Sequence, residues 1–407
     1  MKDDSMSLLN PTTSGDRIEM IDALRGFALT GVCLANLALF SFYYCLSNEQ
    51  KADLPLPLIN TIISYLIYFF VDSKFWTLFT IMFGFGASIF ISRANELHKN
   101  GKALYARRLV LLLIFGLIHG IFFWFGDIFA EYALAGFILL LFSNKKGISV
   151  AVWGIILGAF IPLVLMILQA KLLPDSSEIF DKLGKLTLNA YSSSSYSKVI
   201  NANLVNIKIF SLYVWFLLIA AVGRFMIGYW IGQTGRMYNL ENYTDFFRKT
   251  MRICGWIGFP FMFIVTITKI LIDSEVLVPE SEWEPVTYLL EIASLAIGIF
   301  YAVKFAFLYQ NKKWRKRLSV FKEMGRMALT NYLMQTIINI LIFNGIGFGL
   351  AGKTGPSIYI LWFIVLMILQ IIFSKWWLSR YRFGPFEWLW RSLTYKKLQP
   401  MKVKANL

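Results

Sequence analysis

The sequence predicts an all-α protein, a polytopic bundle of transmembrane helices. Hydrophobic residues make up 57% of its 407 residues and charged residues only 16%, whereas about a quarter of an average soluble domain is charged. Apolar runs of about 18 or more residues, long enough to cross a hydrocarbon core of about 30 Å, recur along the whole chain. Little sequence is left for a soluble catalytic domain.

We expect about eleven helices, within a range of ten to twelve. The predicted helices cover residues 21–46, 58–71, 75–92, 107–125, 128–143, 148–170, 208–232, 252–272, 287–308, 325–346 and 356–375. The second and fifth are short for a full crossing and could be re-entrant or lie deep within protein. The first is too long for the apolar core of a signal peptide, so we expect it to be retained.

Three regions follow from this pattern. Residues 1–20 form an extramembrane N-terminal segment, residues 21–375 a single transmembrane domain, and residues 376–407 a basic and aromatic interfacial segment. The connection 171–206 has a loop-like composition.

The net charge of +16 indicates topology rather than nucleic-acid binding, because the basic residues cluster in short segments between apolar runs. Such segments stay in the cytoplasm, which places the dense cluster 312–317 and the C-terminus there. The acidic segment that begins at Asp273 and the connection 171–206 fall outside. Counting back through eleven crossings places the N-terminus outside as well.

Ionisable side chains within apolar runs are candidate functional residues, because the membrane interior makes them costly. His119 is suited to moving a proton near neutral pH, or it could be a structural hydrogen bonder. Asp127 lies eight residues later, about 12 Å along a straight helix, so a direct bond to His119 is not expected if the helix continues. Asp127 could instead cap the next helix.

Further polar residues could bind an anion or substrate. Arg25 and Asn36 share one face of the first helix, about 16 Å apart. Asp22 lies three residues before Arg25, so an interfacial ion pair is the alternative, with Gly26 and Gly31 allowing close helix packing.

Arg224 lies well inside its helix, where it either needs an acidic or anionic partner or snorkels to the interface. Asn331, Gln335 and Asn339 form a polar stripe that could join helices or line a passage.

The eleven-helix topology brings several charged residues to the outer face and predicts a polar vestibule there, with His119 about two turns below it. Its expected members are Arg17, Asp22, Arg25, Asp72, Lys74 and Asp127. The three cysteines, Cys33, Cys45 and Cys254, have no metal-binding spacing, and we predict no metal site.

The segments IDALRGFALTGVCLANL, GLIHGIFFWFGDIFAEYALAG, GRMALTNYLMQTI and YRFGPFEWLWRSLTY resemble the YeiB family of multi-pass bacterial membrane proteins. The resemblance runs from about residue 17 to residue 400 and implies location in the bacterial cell membrane. That family is similar in turn to transmembrane acyltransferases such as heparan-α-glucosaminide N-acetyltransferase, mainly through Asp22, Arg25 and Gly26. Those enzymes usually carry a histidine at or shortly after the end of that first helix, and this sequence has none there.

The wider resemblance implies an acyltransferase. It would move an acyl group from a cytoplasmic thioester, such as acetyl-coenzyme A, to an extracytoplasmic acceptor, such as a glycan. His119 would be the base or acyl acceptor, with Asp127 orienting it only if the chain folds back, and Arg25 or Arg224 would contact the anionic donor.

Two alternatives remain open. One is a transporter or export component for a small amphipathic or anionic solute, and the other is a non-catalytic membrane partner. The acyl donor, the acceptor and the oligomeric state do not follow from the sequence. The predicted partners are the lipid bilayer and these small molecules, and we predict no nucleic-acid partner.

Overall fold

The computed structural model describes residues 19–97, 99–172, 176–213, 215–277 and 284–403. In these ranges the chain is helical, and pairing of extended backbone is limited to an isolated bridge between Tyr381 and Lys402. The prediction of an all-α bundle is confirmed.

The main helices are numbered here in chain order. They are α1 (Glu19–Ser41), α2 (Pro57–Phe70), α3 (Lys74–Glu96), α4 (Gly101–Phe122), α5 (Phe129–Phe142), α6 (Ile148–Leu172), α7 (Ser176–Ser192), α8 (Tyr196–Tyr213), α9 (Trp215–Thr234), α10 (Thr244–Asp273), α11 (Leu290–Gln310), α12 (Lys312–Leu318), α13 (Lys322–Arg326), α14 (Ala328–Phe343), α15 (Pro356–Leu378) and α16 (Pro385–Tyr395).

The bundle has two ends, which we name by their contacts. At the basic end, Glu19 at the start of α1 pairs with Arg315 at 3.3 Å and with Lys322 at 2.5 Å. At the distal end, the amide of Gly352, just before α15, donates to the carbonyl of Ser41, the last residue of α1, at 2.8 Å. Helix α1 therefore begins beside the dense basic cluster and ends at the opposite side.

Helix α2 begins at the distal end and runs into the bundle, where the carbonyl of its last residue, Phe70, accepts from the Tyr301 hydroxyl of α11 and the ring of Phe69 packs against that of Phe259 on α10. The Asn60 side chain accepts from the amide of Ser357 at the start of α15, at 2.9 Å. The Tyr65 hydroxyl donates to Asp273 at the end of α10, at 3.0 Å. Both of these partners belong to the distal end, whereas Phe259 and Tyr301 lie midway along their helices. The 14 residues of α2 therefore reach only part of the way through the bundle, and α2 and α3 together form one apolar stretch, Pro57–Glu96.

Eight stretches of the described residues are long and apolar enough to cross a membrane: α1, α2 with α3, α4, α6, α9, α10, α11 and α15; α5 and α14 are shorter apolar helices. The start of α1 and the end of α15 lie at the same end. Glu19 pairs with Lys322, and Asn331 donates both to the carbonyl of Met324, beside Lys322, and to Ser374 near the end of α15. The sequence-based count treated α2 and α3 as two crossings and so placed these two helix ends on opposite sides.

The connection predicted to be loop-like is a helical hairpin, α7 and α8, at the distal end. The carbonyl of Tyr191 in α7 accepts from the amide of Gly345 beyond α14, at 2.6 Å, and the Tyr196 hydroxyl of α8 donates to the carbonyl of Phe122 at the end of α4. The buried hydroxyl of Tyr191 also donates to Asn203, at 2.5 Å. The serine-rich composition concealed helices that are stabilised by these tertiary contacts.

Candidate functional site

A cavity of about 310 Å³ lies at the basic end of the bundle, between α1, α3, α4, α5, α14 and α16. Charged residues of both signs line it: Arg25, Arg93, Arg108, Arg326 and Arg391 against Asp22 and Glu387. Aromatic side chains line the rest, among them Phe79, Phe83, Phe90, Phe129, Tyr132 and Trp390. Five guanidinium groups against two carboxyls favour an anionic ligand, and the aromatic rings favour one with an apolar part.

One wall of the cavity depends on two glycines that let backbones meet directly. A Cβ atom added at Gly26 would lie 2.0 Å from the carbonyl oxygen of Phe321, and one added at Gly325 would lie 1.8 Å from the carbonyl oxygen of Asp22. This contact fixes the first turns of α1 against the segment that leads into α14. It confirms close packing at Gly26, and it sets the position of Asp22 and Arg25 on the cavity wall. The Arg25 guanidinium donates a hydrogen bond to the Asp22 carboxylate at 2.9 Å.

Arg108 on α4 is held between two aromatic rings. Its guanidinium carbon lies 3.8 Å from the ring centroid of Trp390 and 5.0 Å from that of Phe90. The Trp390 indole also donates to the carbonyl of Arg108, at 3.0 Å. These contacts attach α16 to α4 and orient the guanidinium group.

Glu387 joins α16 to the start of α14. Its carboxylate accepts hydrogen bonds from the amide and the hydroxyl of Thr330, at 3.0 and 2.5 Å. Burial raises the pKa of the Glu387 carboxyl above its usual value, and the hydrogen bonds from Thr330 oppose that shift. The C-terminal segment, expected to be interfacial, thus supplies one side of the cavity.

His119 and Asp127 form a buried pair beyond the inner end of this cavity. The Nδ1 atom of His119 lies 2.9 Å from Asp127, and both side chains are about 5% exposed or less. Helix α4 ends at Phe122, and the amides of Phe123 and Trp124 both bond to the carbonyl of His119. The chain therefore turns back, and the expectation of a separated pair, which assumed a continuing helix, is wrong.

Asp127 also performs the alternative role that the sequence offered. Its second carboxylate oxygen accepts from the amide of Ala130 in the first turn of α5, at 2.8 Å. One carboxylate therefore caps a helix and orients a histidine, which fixes the position of the imidazole ring.

Thr336 on α14 completes the arrangement, and sequence reasoning missed it. Its hydroxyl lies 3.0 Å from His119 Nε2, so the order Thr336, His119, Asp127 matches the order of a nucleophile, base and orienting acid. The only sequence signal was a hydroxyl beside Gln335 in the polar stripe. Phe129 lies between the Thr336, His119 and Asp127 side chains and the cavity. It lines the cavity, and its ring centroid lies 5.9 Å from that of His119.

The other predicted residues do not meet in one place. Asp22 and Arg25 line the cavity, whereas Asn36, Arg224, Asn331 and Gln335 do not. Asn331 donates to Ser374 at 2.9 Å, and Gln335 donates to Gln370 at 2.8 Å. These bonds join α14 to α15, so the polar stripe connects helices here.

The predicted outer vestibule is not formed. Asp22 and Arg25 lie at the basic end, whereas Asp72 and Lys74 lie between α2 and α3, part of the way into the bundle from the distal end. The eleven-helix topology had placed the start of α1 at the outer face. Arg17 lies outside the described residues. Within those residues, no group of three or more His, Cys, Asp or Glu side chains is arranged to hold a metal.

Comparison with known proteins places the chain in a family. Residues 231–397 match the family described as "Protein of unknown function (DUF418)". A Bacillus subtilis relative, "Uncharacterized protein YxaH", is 30% identical over 425 residues, covering 99% of this chain and 100% of the relative. The chain belongs to the YeiB-like DUF418 family.

Other members of this family are similar over nearly their whole length. Escherichia coli "Uncharacterized protein YeiB" is 28% identical, covering 96% of this chain and 100% of that protein. A Bacillus acidopullulyticus protein, "Uncharacterized 39.9 kDa protein in amylase 3'region", is 28% identical over 98% of this chain. No solved structure matches the chain. The DUF418 match includes α14 and α16 of the cavity wall but not His119 or Asp127.

Proposed function

We propose that this protein is a membrane acyltransferase. It would take an acyl thioester, such as acetyl-coenzyme A, into the arginine-lined cavity and transfer the acyl group toward the distal end, to a hydroxyl acceptor such as a glycan. The observation that carries the proposal is the line of hydrogen bonds from Thr336 through His119 to Asp127. Asp127 orients the ring so that Nε2 can accept the proton of a hydroxyl.

The transfer has two halves in this proposal. The Thr336 oxygen bonds to the acyl carbon as the carbon–sulfur bond breaks, while the hydroxyl proton passes to His119 and then to the leaving thiolate. An acceptor hydroxyl next gives its proton to His119, its oxygen bonds to the acyl carbon, and the bond from that carbon to the Thr336 oxygen breaks. The proton returns to Thr336. Movement of the Phe129 ring would open the path from the cavity.

Intact-protein mass spectrometry of the detergent-solubilised chain tests this directly. After incubation with acetyl-coenzyme A, we expect a mass increase of one acetyl group and release of the free thiol, and mass spectrometry after proteolytic digestion should locate the acetyl group on the peptide that contains Thr336. Thr336→Val should abolish both signals, and Thr336→Ser should retain them. Thr266→Val is the matched control, because Thr266 is also buried and its hydroxyl donates within its own helix, to the carbonyl of Met262 at 2.7 Å.

Three outcomes distinguish the alternatives. Thiol release that survives Thr336→Val but is lost in His119→Ala would leave His119 as base and remove the acyl-threonine step. No thiol release from the wild-type protein would refute the acyltransferase. In that case, passage of an anionic amphipathic solute through proteoliposomes would support the transporter alternative.

We also propose that the basic end faces the cytoplasm, in the cell membrane. Support comes from the basic segments, which lie at this end and match the charge bias of cytoplasmic loops. In a background without the three native cysteines, a membrane-impermeant thiol reagent should label Glu49→Cys at the distal end in intact cells. Lys313→Cys should be labelled only after permeabilisation, and the reverse pattern would refute this orientation.

A further inference from the structure

A groove on the outer surface of the bundle lies between α10 and α11, and it shares none of its described lining residues with the arginine-lined cavity. Its volume is about 480 Å³. Apart from Arg248 and Arg252, the described side chains that line it are apolar, and Trp256, Phe259 and Phe300 are the largest of them. The groove therefore combines a cationic part with an apolar part.

Close packing of α10 against α11 forms the floor of this groove. A Cβ atom added at Gly258 would lie 3.1 Å from the amide nitrogen of Ile297, and the rings of Phe259 and Phe300 meet edge to face with their centroids 5.2 Å apart. Gly255, one turn before Phe259, carries no side chain, and a Cβ atom added there would lie 3.4 Å from the Phe300 ring. This leaves a recess beside that ring, on the same face of α10 as Phe259.

The open side of the groove faces the bilayer. Helix α10 is long and apolar enough to cross a membrane, and Trp256 on it is 76% exposed. Phe263, two turns further along the same face, is also exposed. Apolar side chains that stay exposed on a membrane-crossing helix contact lipid chains. A molecule that enters the groove from this side is therefore a lipid.

Three cationic side chains lie where the groove meets the basic end. Arg248 and Arg252 are one turn apart near the start of α10, and both are exposed. Lys304, one turn beyond Phe300 toward the same end of the bundle, is exposed as well. Within the described ranges none of the three forms an ion pair, and Asp245, one turn before Arg248, forms none either. Their charges are therefore available to an anion.

We infer that this groove binds an anionic phospholipid from the leaflet at the basic end. The lipid phosphate lies between Arg248, Arg252 and Lys304, and one acyl chain lies along the rings of Trp256 and Phe300. Guanidinium groups bind phosphate with paired hydrogen bonds, and basic pockets between transmembrane helices suit anionic head groups. A zwitterionic lipid carries the same phosphate, but its ammonium group would stand among three cations. The site does not depend on acyl transfer.

Native mass spectrometry of the full chain in detergent, with added lipid, tests the site without an activity assay. With identical acyl chains, phosphatidylglycerol should bind more tightly than phosphatidylcholine. The double variant Arg248→Gln, Arg252→Gln should weaken phosphatidylglycerol binding roughly 25-fold, about fivefold for each arginine, and should change phosphatidylcholine binding much less. Lys313→Gln with Lys316→Gln is the matched control, because it removes the same charge from exposed positions of α12 at the same end. It should have no such effect.

A second pair of variants tests the acyl chain. Gly255→Leu fills the recess beside Phe300 and keeps all three cations, so it should weaken phosphatidylglycerol binding. Gly255→Ala, whose Cβ atom fits beside that ring, should bind like the wild type. Unchanged binding in Gly255→Leu would overturn the placement of the acyl chain.

Three other results would overturn the lipid site itself. Equal losses in the two charge variants would show a general effect of charge. Equal affinity of the wild type for the two lipids would remove the preference for an anionic head group. Displacement of phosphatidylglycerol by soluble glycerol phosphate would assign the two arginines to a soluble anion instead.

Discussion

Replacing Gly26 by alanine should destabilise the bundle at the wall of the cavity. The new Cβ atom would lie 2.0 Å from the carbonyl oxygen of Phe321 and 2.9 Å from the amide nitrogen of Gly325. Both neighbours are backbone atoms, so no side-chain rotation relieves the contact. The two backbones would have to separate by about 1 Å, and close-packed interiors resist such a shift.

The size of the effect follows from a matched glycine. A Cβ atom added at Gly86, in the interior of α3, meets nothing within 4 Å. Alanine there should raise stability by up to about 1 kcal/mol through helix propensity alone. Gly26 also lies within a helix and gains the same propensity, so the two variants should differ by the cost of overpacking at Gly26, about 1 to 3 kcal/mol in free energy of unfolding.

Unfolding in detergent with increasing denaturant measures this difference. We expect the order of stability Gly86→Ala, wild type, Gly26→Ala, with an unchanged dependence on denaturant concentration. Because α1 carries Asp22 and Arg25, Gly26→Ala should also weaken binding of anionic amphipathic ligands. A Gly26→Ala protein as stable as Gly86→Ala would show that α1 does not pack against residues 321–325 as described.

Two other predictions concern buried charges. Arg224 on α9 donates to Glu291 on α11 at 2.7 Å, and the exposed fractions of the two side chains are 0% and 5%. Arg224→Leu or Glu291→Leu alone should lower the free energy of unfolding by about 3 to 5 kcal/mol, because each leaves an uncompensated buried charge, whereas the double variant should recover most of that loss. The same unfolding assay measures this. Equal losses in all three variants would argue against a direct pair. Burial raises the pKa of Glu387 in the folded protein, so its contribution is fully present below the pKa of the unfolded chain and is lost as pH rises through the folded pKa. Glu387→Gln should therefore be at least as stable as the wild type at neutral pH. It should also remove this part of the pH dependence of the unfolding midpoint. An unchanged pH profile would assign the dependence to other groups.

The sequence determined the helical content and most helix positions. Apolar runs with few charges have one stable form in a bilayer, because every backbone polar group must be bonded internally, and predicted spans such as 75–92 and 148–170 fall within the observed helices α3 and α6. It also identified His119, Asp127 and Arg224 as costly polar residues within apolar surroundings. Local composition is sufficient for these inferences.

Tertiary structure decided which side chains meet. Helix α2 is as apolar as a crossing helix, and only its contacts show that it runs from the distal end, at α15, to the middle of α10 and α11. The turn after Phe122 brings Asp127 back to His119, and Thr336 joins them from 217 residues away along the chain. The five arginines of the cavity come from five separate parts of the sequence. Their assembly depends on packing between distant helices, which hydropathy and spacing along one helix do not specify.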